Sequence, residues 1–316
     1  MNTENVLKVE HLHKAYKERK AVNDLGFCVK EQEILGLLGP NGAGKSTTIN
    51  ILSTILKPDS GTIEYFNMPV SNNLKAIKRH LGIVPQDLAI YEDIPAYKNV
   101  EFFASLYGLR GSQLKESVNR ALEFVALTDR ATDKPRTFSG GMKRRLNIAC
   151  AIAHTPKLLI LDEPTVGIDP QSRNHILESI KRLRDMGTAI IYTTHYMEEV
   201  EAIADRIVIM DQGQKIAEGT LDELLSAYED TTIYRLNLDN PPVKQEDLTA
   251  LRTLDGVKDV SADGDIIKIT TSTTESRFDQ IILAVYQQGY KIKHIMSEEG
   301  NLETLFLDLT GRALRD

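Results

Sequence analysis

The run Gly39-Pro40-Asn41-Gly42-Ala43-Gly44-Lys45-Ser46-Thr47 fits the spacing G-x-x-x-x-G-K-[ST] of a phosphate-binding loop. Small residues let backbone N–H groups converge on an anion, and a helix starting there adds a favourable dipole. Lys45 is placed to reach the β and γ phosphates of a nucleotide, and the Ser46 hydroxyl to bind Mg²⁺. A second constellation is Leu158-Leu159-Ile160-Leu161-Asp162-Glu163, an apolar run ending in two carboxylates. Asp162 suits the metal-holding acid of a phosphoryl-transfer site, and Glu163 can orient or deprotonate an attacking water. His195 closes a third such stretch, Gly187 to His195, where it can hydrogen-bond the γ-phosphate and keep the water and Glu163 in register. Gln86 stands just past Leu81-Gly82-Ile83-Val84-Pro85, positioned to approach the metal or the γ-phosphate.

These residues share one setting: each ends a short apolar run. Such runs read as buried parallel strands, and in a parallel α/β sheet ligands gather at the carboxyl ends of the strands. Ile34 to Leu38 is the strand before the phosphate loop, and Thr48 to Leu52 has the spacing of the helix after it. Val6 to Leu12 alternates like an edge strand, and Ala21 to Val29 reads as another strand. Tyr16, in the polar stretch Lys14 to Lys20, either stacks on a nucleotide base or closes a hairpin edge. From Asp87 to about Pro135 helical spacing takes over, at Asn99–Tyr107 and Leu114–Leu127, and reads as an all-helical insertion. Ser139-Gly140-Gly141-Met142 then opens a further helix, either a second anion site or an ordinary capped helix start.

The chain has 316 residues, 26% charged and 41% hydrophobic, room for one large or two modest globular domains. Its net charge of −7 argues against a general nucleic-acid or anionic-membrane binder. No apolar run approaches the ~20 residues of a membrane helix, and Met1 to Asn5 lacks a basic-then-apolar signal pattern. Cys28 and Cys150 lie far apart in apolar surroundings and read as core residues of a reducing compartment. The expectation is a cytoplasmic protein that reaches a membrane only by docking. Residues 1–228 form the nucleotide domain, with a helical subdomain at about 87–153. Residues 229–316 form a second domain whose strands and helices follow the order β-α-β-β-α-β, the ferredoxin-like arrangement, with no catalytic constellation of its own.

By His195 the motif set resembles the ATP-binding subunit of an ABC transporter, over about residues 5 to 228. In that resemblance Gly39–Thr47 is the P-loop, Gln86 the Q-loop and Ser139–Met142 the signature motif, with Met142 where Gln is usual. Leu158–Glu163 is the second Walker motif, Gly167-Ile168-Asp169 the D-loop, His195 the switch histidine and Tyr16 the adenine-stacking aromatic. The resemblance implies ATP and Mg²⁺ as ligands, with Ser46, Gln86 and Asp162 on the metal. It implies a head-to-tail pair of ATPase subunits in which Ser139, Gly140 and Gly141 face the partner's γ-phosphate, and separate polytopic membrane subunits. Phe138–Leu146 and the tail Leu302–Gly311 are similar to the daunorubicin-resistance type of exporter ATPase. Two alternatives stay open: a non-transport relative acting on nucleic acid or ribosomes, and a nucleotide sensor without turnover.

Overall fold

The computed structural model describes residues 5–226, 231–239, 245–272, 278–299 and 301–310. The expected 228/229 boundary, the helix start at Thr274 and Gly311 of the tail lie outside the described residues. The chain divides into two compact units that meet in sequence between Thr220 and Leu221.

The first unit carries two sheets. One is antiparallel, in the order β2-β1-β4-β5, from β1 (Asn5–Tyr16), β2 (Arg19–Lys30), β4 (Ser60–Tyr65) and β5 (Met68–Pro69). Here β1 is not the edge strand its alternation suggests: β2 pairs with one side and β4 with the other. Alternation reports one buried face, and a strand interior to a half-solvated antiparallel sheet shows it as well as an edge strand does.

The other sheet has the order β10-β9-β3-β8-β7-β6. Its strands are β3 (Ile34–Leu38), β6 (Leu81–Val84), β7 (Leu158–Asp162), β8 (Ala189–Thr193), β9 (Arg206–Asp211) and β10 (Gln214–Gly219). Every neighbouring pair is parallel except β9 with β10. Because strand side chains alternate between faces, Leu159 and Leu161 of β7 join one core cluster while Leu158 and Ile160 join the other. Both faces are covered, which is why these strands read as continuous apolar runs.

On one face lies α1 (Lys45–Leu52), its Ile51 and Leu52 packed with Leu37, Ile63 and Tyr65; α2 (Val70–Lys78) adds Ile77. On the other face is a helical layer: α3 (Ala96–Leu106), α4 (Gly111–Phe124) and α5 (Gly140–Ile152). It shares one core with the sheet, since Val100, Val118, Leu122 and Leu146 cluster with Val84 and Leu161. The unit is completed by α6 (Pro170–Asp185) and α7 (Met197–Ile203). Asp169 caps α6 by accepting a hydrogen bond from the Ser172 N–H at 2.9 Å.

The second unit begins with α8 (Leu221–Leu225). It continues through β11 (Thr231–Leu238), α9 (Gln245–Arg252), β12 (Val257–Asp263), β13 (Ile266–Ser272), α10 (Phe278–Gln287), β14 (Ile292–Glu299) and α11 (Leu302–Thr310). The β11-to-β14 order is β-α-β-β-α-β, and the sheet is antiparallel in the order β12-β13-β11-β14. Leu236, Ile267 and Ile269 of the sheet pack against Leu248, Leu251, Ile281 and Val285 of the helices.

Just past α5, the His154 ring stacks on Tyr107, centroids 3.5 Å apart, and its Nε2 lies 2.9 Å from the Leu81 carbonyl. Burial, the largest cause, holds this imidazole down at about 4 and so neutral in the native state. His80, beside it, is also lowered, chiefly by burial and then by Lys157 and Arg79. Between the ordinary histidine value near 6.5 and about 4, the unfolded chain therefore binds more protons than the folded one. Stability is expected to be full above that window and to fall as the pH drops through it. Thermal melts from pH 7 to 5 should show this decline in the native protein and a shallower one in His154→Phe.

Candidate active site

The site is built where parallel strands end. Leu37 of β3 lies opposite Thr193 of β8, and Thr193 opposite Asp162 of β7. The chain leaving each strand at that level carries the phosphate loop, the His195 turn and Glu163. Gln86 leaves β6 beside them, since Val84 lies opposite Leu161.

In the phosphate loop Gly44 caps α1 with φ 104, and Gly42 has φ 82. A Cβ on Gly44 would stand 2.2 Å from the Ala21 carbonyl oxygen, and one on Gly39 2.5 Å from that of Met210. The loop is thus folded so tightly that only glycine fits. Gly39 and Ala43 are buried behind it, while Asn41, Gly42, Gly44, Lys45, Ser46 and Thr47 line a cleft of about 440 Å³. Lys45 is 7% exposed and donates from Nζ to the carbonyls of Gly39 at 2.6 Å and Pro40 at 3.3 Å. Burial lowers its pKa, against the pull of Glu163 and Asp162.

Tyr16 closes the β1–β2 hairpin as its last pair, opposite Arg19, and it lines the cleft with half its surface exposed. Arg19, which sequence reasoning missed, lines the same cleft and donates from Nη2 to the Gly42 carbonyl at 3.1 Å. Its signal was present only as one more cation in a polar stretch.

Thr193, fully buried, joins the two acids. Its hydroxyl donates to Asp162 Oδ1 at 2.7 Å, and its oxygens accept the Glu163 N–H at 3.0 Å and 3.1 Å. Burial raises the Asp162 carboxyl even with that hydroxyl bond in place. Glu163 has φ 46, a left-handed backbone uncommon outside glycine. Its Oε2 accepts from Gln86 Nε2 at 3.2 Å and lies 3.4 Å from His195 Nδ1. One carboxylate oxygen therefore gathers Gln86 and His195 at the end of the cleft that Glu163 lines.

Ser139, Gly140 and Gly141 do not line this cleft. Ser139 and Gly140 are exposed, and the Ser139 hydroxyl caps α5 by accepting the Met142 N–H at 3.2 Å. Gly141 is pressed against α6, where a Cβ would lie 2.3 Å from Ser172 Oγ. The same helix reaches the cleft by another route. Buried Arg144 donates to the carbonyls of Pro85 at 2.9 Å and Gln86 at 2.7 Å, a clamp that no local spacing marks.

The cradle fits a polyphosphate: a buried ammonium held by two carbonyls, at a helix start that a side chain would fill. Ser46, Gln86 and Asp162 offer hydroxyl, amide and carboxylate oxygens, the hard donors Mg²⁺ takes alongside phosphates. Among the described residues no group of three His, Cys, Asp or Glu forms a metal cluster, and such a set does not require one.

Residues 22–166 match the family model described as ABC transporter. The linearmycin resistance ATP-binding protein LnrL of Bacillus subtilis (strain 168) is 45% identical over 98% of this chain and 100% of its own length. The daunorubicin/doxorubicin resistance ATP-binding protein DrrA of Streptomyces peucetius is 34% identical over 100% of this chain and 96% of its own. A solved dimeric ATP-binding cassette, in a post-hydrolysis state with ADP and Pi, superposes with TM-score 0.62 at 27% identity, over 68% of this chain and 98% of that one. The chain belongs to the ABC transporter family, as an ATP-binding subunit with ATPase chemistry.

Gly44→Ala is expected to destabilise the first unit by more than about 1 kcal/mol, because alanine resists this φ and its methyl meets the Ala21 carbonyl. Urea unfolding should show the loss, together with weakened nucleotide binding.

Proposed function

We propose that the chain hydrolyses Mg-ATP in the cleft between Tyr16 and Glu163 and that this hydrolysis powers an ABC exporter. The observation that carries this reading is the convergence of Lys45, Gln86, Glu163 and His195 at the ends of adjacent parallel strands. Tyr16 stacks on the adenine, and the loop N–H groups of residues 39–47 with Lys45 hold the β and γ phosphates. Ser46, Gln86 and Asp162 would hold Mg²⁺, which supplies neutralisation of the phosphate charge. Glu163 takes the proton of the attacking water. His195 donates toward the γ-phosphate and keeps Glu163 in place.

Two copies pair head to tail. The exposed Ser139 and Gly140, capping α5 outside their own cleft, then face the partner's γ-phosphate, and the α5 N-terminus adds its dipole. The dimeric cassette among the solved relatives supports this arrangement. Membrane subunits are separate chains, a reading supported by the names of the relatives as ATP-binding proteins; among the described residues no helix is long and apolar enough to cross a membrane. A groove of about 770 Å³ between α2 and α3, lined by Leu74, Phe103, Leu106 and the exposed Ile55, receives them. The protein works on the cytoplasmic face of the membrane. The relatives' names support drug- or antibiotic-like cargo. The second unit, read as ferredoxin-like from its strand order, serves regulation, dimer contacts or partner binding.

Glu163→Gln should cut steady-state phosphate release by roughly 10²–10⁴-fold while retaining ATP binding and accumulating an ATP-bound dimer on gel filtration. Near-normal turnover by this variant would defeat the assignment. Because Leu106 is 65% exposed, Leu106→Asp is expected to keep the fold. That variant should release the membrane partner that co-purifies from detergent-solubilised cells, with ATPase activity of the isolated subunit kept.

A further inference from the structure

Glu199 of α7 is 2% exposed and does not line the cleft. Its Oε2 accepts three hydroxyl bonds: from Thr165 at 2.9 Å, Tyr192 at 2.8 Å and Thr194 at 2.7 Å. Its Oε1 lies 3.3 Å from Nε of Arg173 on α6. The donors come from different segments. Thr165 stands two residues past Glu163, Tyr192 lies in β8, Thr194 directly precedes His195, and Arg173 is on the helix after the Gly167-Ile168-Asp169 turn.

The links continue to the histidine. Thr194 Oγ1 also accepts the Tyr196 N–H at 3.0 Å, which closes the turn around His195. The Arg173 guanidinium sits over the Tyr196 ring at 4.6 Å, and that ring lies 4.2 Å from the His195 ring. Glu163 needs holding for its own reason. Its left-handed φ of 46 persists only where the surroundings impose it. Thr193 imposes it from β8, and the Thr165–Glu199 bond anchors the chain just beyond it. A buried charge is costly to desolvate, and an apolar side chain would fill this space at lower cost. What the carboxylate adds is a common anchor for segments that a hydrophobic contact would leave free to slide.

We propose that Glu199 is a positioning residue for hydrolysis, locking the turn after Glu163 and the turn bearing His195 into one geometry. This rests on the reading of Glu163 and His195 as the hydrolytic pair. Because a misplacement near 1 Å costs on the order of 10²-fold in rate, a loosened anchor acts on turnover and not on ATP binding, which the phosphate loop performs.

The test uses the full-length chain. Steady-state phosphate release, equilibrium binding of a fluorescent ATP analogue and thermal melts are compared for wild type, Glu199→Gln, Thr165→Val, Thr194→Val and Glu163→Gln. In Glu199→Gln the neutral amide cannot serve Arg173 and all three hydroxyls together. It is expected to lose about tenfold or more in kcat, with KM for ATP and analogue affinity within about twofold, and the two valine variants to lose less in the same pattern. Unchanged kcat in Glu199→Gln overturns the proposal, as does a parallel fall of kcat and ATP affinity in a variant whose melt stays that of the wild type. If Glu199→Gln does not fold, the valine variants decide, and unchanged kcat in both overturns it. Glu163→Gln separates the two levels. Its retention of turnover defeats the site reading itself, whereas an inactive Glu163→Gln beside a fully active Glu199→Gln defeats only the anchor.

Discussion

The hydrogen-bond register of three parallel strands governs the rest of this structure. With Leu37, Thr193 and Asp162 in one row across β3, β8 and β7, the loops leaving those strands begin at one level. A slip of one residue would turn every side chain of the slipped strand to the opposite face. Leu159 and Leu161 would then exchange core clusters with Leu158 and Ile160. The apolar core thus specifies the register, and the register specifies the distance from Glu163 to Gln86 and His195. Thr193 makes the dependence direct, because a single buried threonine belongs to the ladder and bonds both acids at once.

The charges at the cleft are held under tension by the same burial. Lys45 is pushed toward losing its proton and Asp162 toward keeping one, and in each case desolvation is the largest cause. Both shifts have the sign that an approaching opposite charge reverses: phosphate for the ammonium, a divalent cation for the carboxylate. On the proposed function, phosphate beside Lys45 and a divalent cation beside Asp162 would relieve what folding imposes.

Much of this was legible in the sequence. The apolar runs before Lys45's loop, Asp162–Glu163 and His195 each announced a buried strand with polar residues at its end, and the structure brings those ends together. The helical spacing at Asn99–Tyr107 and Leu114–Leu127 and the alternation at Thr232–Leu238 overlap helices and a strand of the structure, because periodicity reports a buried face. The interior position of β1 was not legible, since alternation records which face is buried and says nothing of how many neighbours a strand has. Nor were the connectors legible. Arg144 reaches Pro85 and Gln86 across more than fifty residues of chain, and Glu199 gathers Thr165, Arg173 and Thr194 from separate segments. No local spacing marks such pairs, because tertiary folding alone makes them neighbours. The left-handed backbone of Glu163 is equally invisible in a residue type that rarely adopts it.

The exposed cap of α5 has a consequence for how much one molecule can do alone. Ser139 and Gly140 lie outside the cleft of their own chain. On the proposed pairing, a complete reaction centre is then assembled only by encounter. In dilute solution the specific activity would fall with concentration, as the square law of association requires, and tethering by membrane subunits would restore it by raising the local concentration of each copy about the other. A defect in one copy's cap would be felt in the neighbour's chemistry, so mixed pairs of two differently damaged chains would retain one intact centre.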